Sequence, residues 1–503
     1  MATDVSKPIF PRSPLVRTSI WLLLISLGCL TFADIEITSK DPWPELKRLA
    51  VGLIQPNFTK WGQILEALMM TLAFAILGVA LANLAGFLLA VLFNYRAVRV
   101  FCAFIRAVHE LFWALIFLQI FGLTALTGVL AIAIPYSGIC AKVYAELLEE
   151  ADPLPLQATP KGTSIVSAFF FVKLPGVWEN VKTYSFYRLE CGLRSSAVLG
   201  FIGLPTLGFY LETAYKEGLY SDLSALLIVF YILISTIRKW MKKELIPILI
   251  LAAIIILPET GAMTWSNAWR FFVHDIMPTP IRNAENITIL TLHETWVWFH
   301  DLIIDQALPG VLNTFLLTMI ALTATGVLSL LFFPLISSLF FGKKSRLIGH
   351  VFLVVVRSTP EYVIAFVLLQ LLGPSMFPAI IALSFHNGAI IGHLIGNFSN
   401  HLRLRVDRSR GINLYLFETL PRIYSQFLAF LFYRWEVIFR ETAILGILGI
   451  QTLGFFVDSA FADIRFDRAI ILIIITALLN ILIDAASRLI RNKLRLQTSL
   501  DAK

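Results

Sequence analysis

The sequence predicts an all-α polytopic membrane protein with about 12 transmembrane helices, arranged as two parallel, pseudo-symmetric repeats. Three observations predict this fold class: the composition, the spacing of the apolar runs, and a long motif that occurs twice. Of the 503 residues, 58% are apolar and only 15% are charged. A soluble protein of this size cannot bury so much apolar side chain, so lipid must surround most of its surface.

Apolar runs that approach the length of a membrane-spanning helix, about 20 residues, occur six times in each half of the chain. In the first half they are 18–33, 66–94, 99–121, 124–144, 181–202 and 219–237. In the second half they are 244–259, 309–341, 348–371, 375–395, 427–449 and 467–487. The first run could be read as the core of a signal peptide, but no clear cleavage site follows it, so we expect a retained helix.

Basic residues cluster between the apolar runs in a regular way. The clusters fall at 7–17, 96–99, 161–182, 238–243, 343–346, 403–422 and 488–495. With six spans per half, every cluster lies on one side, which the positive-inside rule makes cytoplasmic together with both termini. The loops 34–63 and 260–305 are then outside, and an even number of spans per half makes the repeats parallel. We place the first repeat at 1–240 and the second at 241–503.

The same topology explains the net charge of +8 without nucleic acid, because the basic residues stand at the ends of apolar runs. The four cysteines occur singly in or beside apolar segments, so we expect small inert side chains rather than disulfides.

The duplicated motif carries the charges that lie at membrane depth. Residues 186–209 and 432–455 are identical at 13 of 24 positions at a shift of 246, and a shorter Arg-x-x-x-Glu motif repeats at a shift of 251. An internal duplication explains both. We select as translocation path or gate residues Arg106, Glu110, Arg188, Glu190, Arg194, Gly200, Gly203, Arg357, Glu361, Arg434, Glu436, Arg440, Glu441, Gly446 and Gly449.

Two interpretations of these charges remain open. The surplus arginines could line a path that accepts an anion, or they could be structural ion pairs and side chains that reach the cytoplasmic surface. Four-residue spacing would put Arg106 and Glu110 on one helix face, and likewise Arg357 and Glu361. Glu441 breaks the symmetry, because the first repeat has Ser195 at that position.

The remaining singled-out residues also have two readings. The Gly-x-x-Gly pairs Gly200/Gly203 and Gly446/Gly449 allow either close helix packing or a broken, re-entrant segment, which we favour. For the lone histidines His109 and His386 we expect packing with one hydrogen bond rather than metal binding, so we predict no metal site.

Each half also has a polar cytoplasmic segment of about thirty residues between its fourth and fifth spans, at 146–180 and 397–425. In the first, Ala158, Gly162 and Leu174-Pro175 resemble the Glu-Ala-Ala signature of ABC importer permeases. In the second, Leu420-Pro421 remains, and the nearest glycine, Gly411, is only 10 residues upstream of the proline instead of 13. The resemblance implies short helices that dock ATPase subunits; the alternative is an ordinary amphipathic loop.

The Arg-x-x-x-Glu motif and the Tyr-Arg-x-Glu-x-x-x-Arg motif before Leu-Gly-x-x-Gly resemble permeases of phosphonate importers, over residues of about 65–235 and 305–490. The resemblance implies a type I ABC importer transmembrane domain with two permease units fused, in a bacterial inner membrane. It also implies two ABC ATPase subunits that hold ATP and Mg²⁺, a periplasmic phosphonate-type binding protein, and transport of a phosphonate or a related phosphorus oxyanion. Pro205-Thr-Leu-Gly208 and Gln451-Thr-Leu-Gly454 replace the family's Gly-Gly-rich turn, which leaves the substrate open.

The sequence lacks a Gly-x-x-x-x-Gly-Lys-[Ser/Thr] phosphate-binding loop and the common hydrolase and zinc motifs, so we predict a transport subunit and not an enzyme, with no cofactor of its own. Two alternatives remain: an ion-driven secondary transporter with parallel repeats, or an ABC permease for another small anion or an amino acid.

Overall fold

The computed structural model describes residues 13–37, 41–160, 162–257, 265–402, 404–405 and 410–496. Of the residues used to predict topology, Lys7, Arg12, Lys161, Arg403 and Arg408 lie outside these ranges. Every regular element in the described part of the chain is a helix, which confirms the all-α prediction.

The described residues of the first half form eleven α-helices. They are α1 (Pro14–Leu30), α2 (Trp43–Ile54), α3 (Trp61–Val91), α4 (Arg96–Ala107), α5 (Glu110–Phe121), α6 (Ala125–Glu149), α7 (Leu154–Gln157), α8 (Ile165–Ala168), α9 (Leu174–Val198), α10 (Leu207–Lys216) and α11 (Tyr220–Trp240). A π-helical turn, Phe169–Lys173, joins α8 to α9, and a 3₁₀ turn, Leu199–Ile202, follows α9.

The part of the second half that the structure describes adds twelve α-helices. They are α12 (Ile246–Ile256), α13 (Trp265–Arg270), α14 (Thr279–Asn283), α15 (Ile289–Leu302), α16 (Leu308–Phe332), α17 (Lys343–Ser358), α18 (Glu361–Leu372), α19 (Met376–Ser399), α20 (Gly411–Asn413), α21 (Leu420–Ile447), α22 (Leu453–Ala462) and α23 (Phe466–Lys493). The shorter π and 3₁₀ turns are Lys243–Leu245, Phe271–Asp275, Ile303–Ala307, Phe333–Ile336 and Leu414–Thr419.

Within the described residues, six helices are long and apolar enough to cross a membrane, or up to nine if each of three bent pairs is one span. Three further apolar helices, α1, α12 and α22, are shorter than this. Each of the twelve predicted segments overlaps a helix or a bent pair, but length and composition alone support fewer than twelve spans. Within the predicted outside loop 260–305, α15 runs through Ile303–Ala307 into α16 as one continuous helix from Ile289 to Ile336, and the side of the membrane that this loop faces stays a prediction.

Two of the predicted spans are broken at the Arg-x-x-x-Glu motifs. Helices α4 and α5 meet at 92°, and α17 and α18 meet at 90°. At the first break, His109 has extended backbone and its side chain caps α5 by accepting the Leu111 N–H at 3.2 Å. At the second, Pro360 holds Thr359 extended and ends the helix. The prediction that the Arg and Glu of each motif share a helix face is therefore wrong.

Contacts divide the chain into two compact units, which we describe separately. The first compact unit contains 47–295 and 464–478, and the second contains 1–46, 296–463 and 479–503. In the first, α3 packs on α6, α9 and α12, with a core at Ala90, Cys140, Tyr144 and Val181. In the second, α16 packs on α19, α21 and α1. These units group residues by contact, so the division of the sequence repeats at 240/241 stays a prediction.

The long motif has the same local structure in both units. Helices α9 and α21 begin 246 residues apart, as do α10 and α22. Gly203 (φ +92°) follows the 3₁₀ turn after α9, and Gly449 (φ +88°) follows the end of α21. Both glycines have left-handed backbone conformations, in which a residue with a side chain would be strained. In the first copy the chain then turns by 53° into α10.

A repeated hydrogen bond fixes the start of the helix after each turn. The Leu207 N–H donates to Thr71 Oγ1 at 2.8 Å, and the Leu453 N–H donates to Thr314 Oγ1 at 2.9 Å. Each threonine hydroxyl in turn donates to a carbonyl one turn earlier in its own helix. All four residues are buried, so the threonines satisfy N–H groups that would otherwise lack a partner.

We expect Thr71→Val and Thr314→Val each to lower the free energy of unfolding by about 1–3 kcal/mol, because each leaves a buried N–H unsatisfied. Unfolding of the purified chain by SDS titration in mixed micelles measures the effect. Thr236→Val is the matched control, since that hydroxyl bonds only carbonyls of its own helix, and it should change stability by less than about 0.5 kcal/mol. Equal effects for all three variants would contradict the assignment.

Candidate functional site

An exposed apolar surface precedes α9 in the first compact unit. Gly162 (φ +98°) turns the chain, and α8 with the π-helical turn Phe169–Lys173 then leads directly into α9. Val166, Phe170 and Phe171 are exposed on this segment, with Phe171 82% accessible. We name these three residues the first coupling surface.

The second compact unit carries the matching surface before α21. Gly411 (φ +62°) begins α20, and the π-helical turn Leu414–Thr419 follows α20 and leads directly into α21. Ile412, Leu416 and Phe417 are exposed, with Phe417 77% accessible. Each stands 246 residues after its counterpart in the first coupling surface. We name them the second coupling surface, and an apolar surface that recurs in both units fits a site for protein partners.

The residues that we predicted to contact an ATPase lie next to these two surfaces in the sequence. Ala158 directly follows the short helix α7 as its C-cap, and Pro175 and Pro421 lie exposed in the first turns of α9 and α21, where proline is favoured. Leu174 and Leu420 are half-buried beside them. Sequence reasoning stopped at these positions and missed the apolar residues just upstream; continuing the shift of 246 from Leu174 back to Val166 would have found them.

The second cytoplasmic segment, 397–425, is held by internal hydrogen bonds that the sequence did not predict. The buried Glu418 side chain accepts from the Arg405 N–H at 2.8 Å and from Arg422 at 3.2 Å. The first repeat has Val172 at the matching position. The shorter second loop is therefore tied to the start of its helix by a charged contact that the longer first loop lacks at this position.

A chain of hydrogen bonds joins three helices inside the first compact unit. Ser195 on α9 donates to Glu110 Oε1 on α5 at 2.7 Å and lies 2.8 Å from the hydroxyl of Tyr136 on α6. His109 Nε2 lies 3.8 Å from Glu110 Oε2. The Glu110 carboxylate at the start of α5 thus accepts from a serine hydroxyl, which in turn contacts a tyrosine hydroxyl.

The corresponding place in the second compact unit holds more charge. Glu361 on α18, His386 on α19 and Glu441 on α21 bring one ligand atom each within 4.8 Å of one another. His386 Nε2 lies 3.9 Å from Glu361 Oε2, and Asn387 donates to Glu441 Oε2 at 2.8 Å. The same three helices of each repeat supply the residues, because Glu361 matches Glu110, His386 matches Tyr136 and Glu441 matches Ser195. The asymmetry at Glu441 noted in the sequence therefore extends to a histidine beside it.

The predicted path arginines have different surroundings. Arg188 donates to the Tyr184 hydroxyl at 2.7 Å, and its guanidinium lies 5.0–5.6 Å from the ring centres of Tyr184, Tyr187 and Tyr136. Arg106 is buried. Arg357 lies 3.3 Å from His393 Nδ1. Glu190, Arg194, Arg434, Glu436 and Arg440 are all half-buried. Three tyrosines stabilise the Arg188 charge by cation–π contact, which favours a structural role for that residue; the path roles of the others stay predictions.

Comparison with known proteins adds independent findings. Residues 330–496 match the family described as binding-protein-dependent transport system inner membrane component. The phosphate-import permease protein PhnE of Mycolicibacterium smegmatis is 26% identical over 459 residues, covering 84% of each chain. The phosphite transport system permease protein PtxC of Stutzerimonas stutzeri is 28% identical over 225 residues, which is 42% of this chain and 82% of that protein.

A putative cryptic phosphonate transport system permease protein, PhnE2 of Escherichia coli, is 27% identical over 107 residues, which is 21% of this chain and 88% of that protein. No solved structure gives a significant match. PhnE of Mycolicibacterium smegmatis matches most of this chain, whereas most of PtxC matches less than half of it. Both results are expected if this chain contains two permease units. The predicted family resemblance is confirmed.

Proposed function

We propose that this chain, which is similar to permeases of binding-protein-dependent ABC importers, forms the transmembrane path of such an importer, with one permease unit in each repeat, 1–240 and 241–503. The substrate we propose is a small phosphorus oxyanion: a phosphonate, phosphite or phosphate. The names of the relatives, which cover phosphite, phosphate and phosphonate transport, support this substrate class.

The observation that carries the proposal is the pair of coupling surfaces. A transporter driven by separate ATPase subunits needs a docking site for each subunit. The two apolar surfaces are suitable sites, because each residue of one lies 246 positions from its counterpart in the other. In this proposal one ATPase subunit docks on each surface, and ATP with Mg²⁺ is held by those partners. Because α9 and α21 follow the surfaces directly, a motion of either surface moves a helix that carries intramembrane charge.

The further partners and location follow from the family. A phosphonate-type binding protein delivers the substrate from the periplasm, and the chain is a multi-pass protein of the bacterial inner membrane with both termini cytoplasmic. The basic clusters between the apolar runs support that orientation. Within the path, we propose that Arg194 and Arg440 face the anion, since guanidinium groups bind phosphorus oxyanions with paired hydrogen bonds.

Uptake by reconstituted vesicles tests the proposal. The chain is co-purified with the ATPase subunits and the binding protein of the same cell and reconstituted with the binding protein outside and ATP enclosed. We expect uptake of labelled phosphite, phosphate or an alkylphosphonate that requires ATP, the ATPase subunits and the binding protein together, because the chain has no recognisable nucleotide-binding loop.

Vesicles with labelled sulfate or an amino acid are the substrate controls, and a non-hydrolysable ATP analogue is the energy control. Uptake by the chain alone, driven by a proton or sodium gradient, would contradict the proposal and favour a secondary transporter. ATP-driven uptake of the control solutes in place of the phosphorus compounds would contradict the substrate class alone.

A further inference from the structure

The intramembrane cluster of the second repeat has the composition of a metal site. Two carboxylates and one imidazole converge, with one ligand atom from each of Glu361, His386 and Glu441 within 4.8 Å of the others. From these residues we propose that the second repeat binds a divalent first-row transition metal ion of the zinc type. Imidazole nitrogen together with carboxylate oxygen suits Zn²⁺ and its neighbours, whereas Mg²⁺ and Ca²⁺ prefer oxygen ligands alone.

The orientation of His386 supports this assignment. Its Nδ1 lies 2.9 Å from the Thr359 carbonyl oxygen. A carbonyl oxygen only accepts hydrogen bonds, so Nδ1 carries the proton, and in the neutral ring Nε2 carries a lone pair. That lone pair faces the carboxylate of Glu361 at 3.9 Å, an arrangement that a cation between the two groups makes favourable. Metal-binding histidines typically donate their other N–H to a carbonyl in this way.

The surroundings of Glu441 supply the second support. Asn387 is completely buried and donates to Glu441 Oε2 at 2.8 Å, which orients the carboxylate toward the cluster. The amide oxygen of Asn387 is buried and accepts no hydrogen bond among the described residues. A buried amide oxygen next to the carboxylate therefore requires an explanation, and a cation at the cluster would supply one.

The first repeat provides an internal reference for the same place in the fold. There, Tyr136 and Ser195 stand where the second repeat has His386 and Glu441, and two hydrogen bonds of 2.7 and 2.8 Å link the matching residues. In the first repeat this junction of three helices therefore joins one carboxylate, Glu110, to two hydroxyl groups. The second repeat instead has two carboxylates and an imidazole at this junction, and a metal ion would bind to all three. The ion would therefore be a structural element of the second repeat only.

The experiment measures Zn²⁺ binding to the full-length chain in detergent micelles, and it needs no transport activity. After treatment with a chelator and its removal, titration calorimetry with ZnCl₂ should give one strong site per chain, and elemental analysis should give the same stoichiometry. Excess Mg²⁺ should not displace the ion. Co²⁺ in place of Zn²⁺ should give a visible absorption spectrum typical of nitrogen and oxygen ligands.

Variants that install the residues of the first repeat test the location. Glu441→Ser and His386→Tyr should each weaken Zn²⁺ binding more than about 100-fold, and Asn387→Ala, which only orients a ligand, by about 10–100-fold. His274→Gln is the control, because this exposed histidine beside Asp275 represents adventitious surface binding and its loss should leave the strong site intact.

Two results would overturn the proposal. One is the absence of a stoichiometric Zn²⁺ site in the wild-type chain, as expected if the cluster holds a proton instead. The other is unchanged Zn²⁺ affinity in variants that elute as folded protein. If a variant does not fold, the wild-type stoichiometry and the Co²⁺ spectrum still decide the outcome, because a site without imidazole ligation would contradict the assignment of His386.

Discussion

The double variant Phe171→Asp with Phe417→Asp is expected to abolish ATP-driven uptake and co-purification of the ATPase subunits, while the chain itself remains folded. Both rings are exposed in the isolated chain, so their removal costs the fold little. Docking buries them in the proposed complex, and burial of a phenyl ring contributes about 1.5–3 kcal/mol. Losing one ring at each surface therefore weakens each docking contact by about 10–150-fold, and the new carboxylates add a desolvation cost.

The single variants separate the two surfaces. Each should keep one intact docking surface and retain part of the ATPase binding, measured by surface-immobilised permease in nanodiscs and purified ATPase. Tyr95→Asp is the control, because Tyr95 is an exposed aromatic residue on the predicted cytoplasmic side outside both coupling surfaces. If the double variant binds ATPase as well as the Tyr95 variant does, the coupling surfaces are not docking sites.

The duplication made much of this arrangement predictable from sequence. A constant shift of 246 residues relates α9 to α21 in the sequence itself, and their starts obey it at Leu174 and Leu420. The same shift relates Phe171 to Phe417, but apolar residues in a polar loop do not reveal whether they face a core or the solvent. Exposure of those rings is evident only from the fold.

The intramembrane sites were less predictable for a different reason. Arg106 and Glu110 were expected to share a helix face because four-residue spacing implies it, yet the helix breaks between them. The residue before a proline is disfavoured in a helix, so Thr359-Pro360 could have predicted the second break. The four-residue spacing of Arg357 and Glu361 suggested a continuous helix instead. His386 and Glu441 are 55 positions apart in sequence, and only the packing of α19 against α21 brings them together; no local pattern predicts such a meeting.

Substitution of the glycines that follow each turn is expected to have the largest effect on stability. A Cβ at Gly454 would collide with the Ala443 carbonyl and lie 2.8 Å from Ala443 Cα, and a Cβ at Gly208 would collide with the Ala197 carbonyl and lie 3.0 Å from Ala197 Cα. Gly446 and Gly200 face the same crossings from the other side, so backbone packs directly on backbone. Gly200 and Gly446 were selected from the sequence as gate residues, whereas Gly208 and Gly454 were not.

Gly208→Ala and Gly454→Ala should therefore each destabilise the chain by about 3 kcal/mol or more, at the upper end of the range for overpacking, because backbone cannot move aside as a side chain does. The measurements are the SDS-unfolding free energy and the yield of monodisperse protein. Gly176→Ala is the matched control in α9, since a Cβ there meets no atom within 4 Å, and removing a helical glycine should raise stability slightly, by up to about 1 kcal/mol. Equal stability of the Gly454 and Gly176 variants would show that α21 and α22 can move apart without a loss of stability. The close backbone contact between them would then not be needed to stabilise the turn.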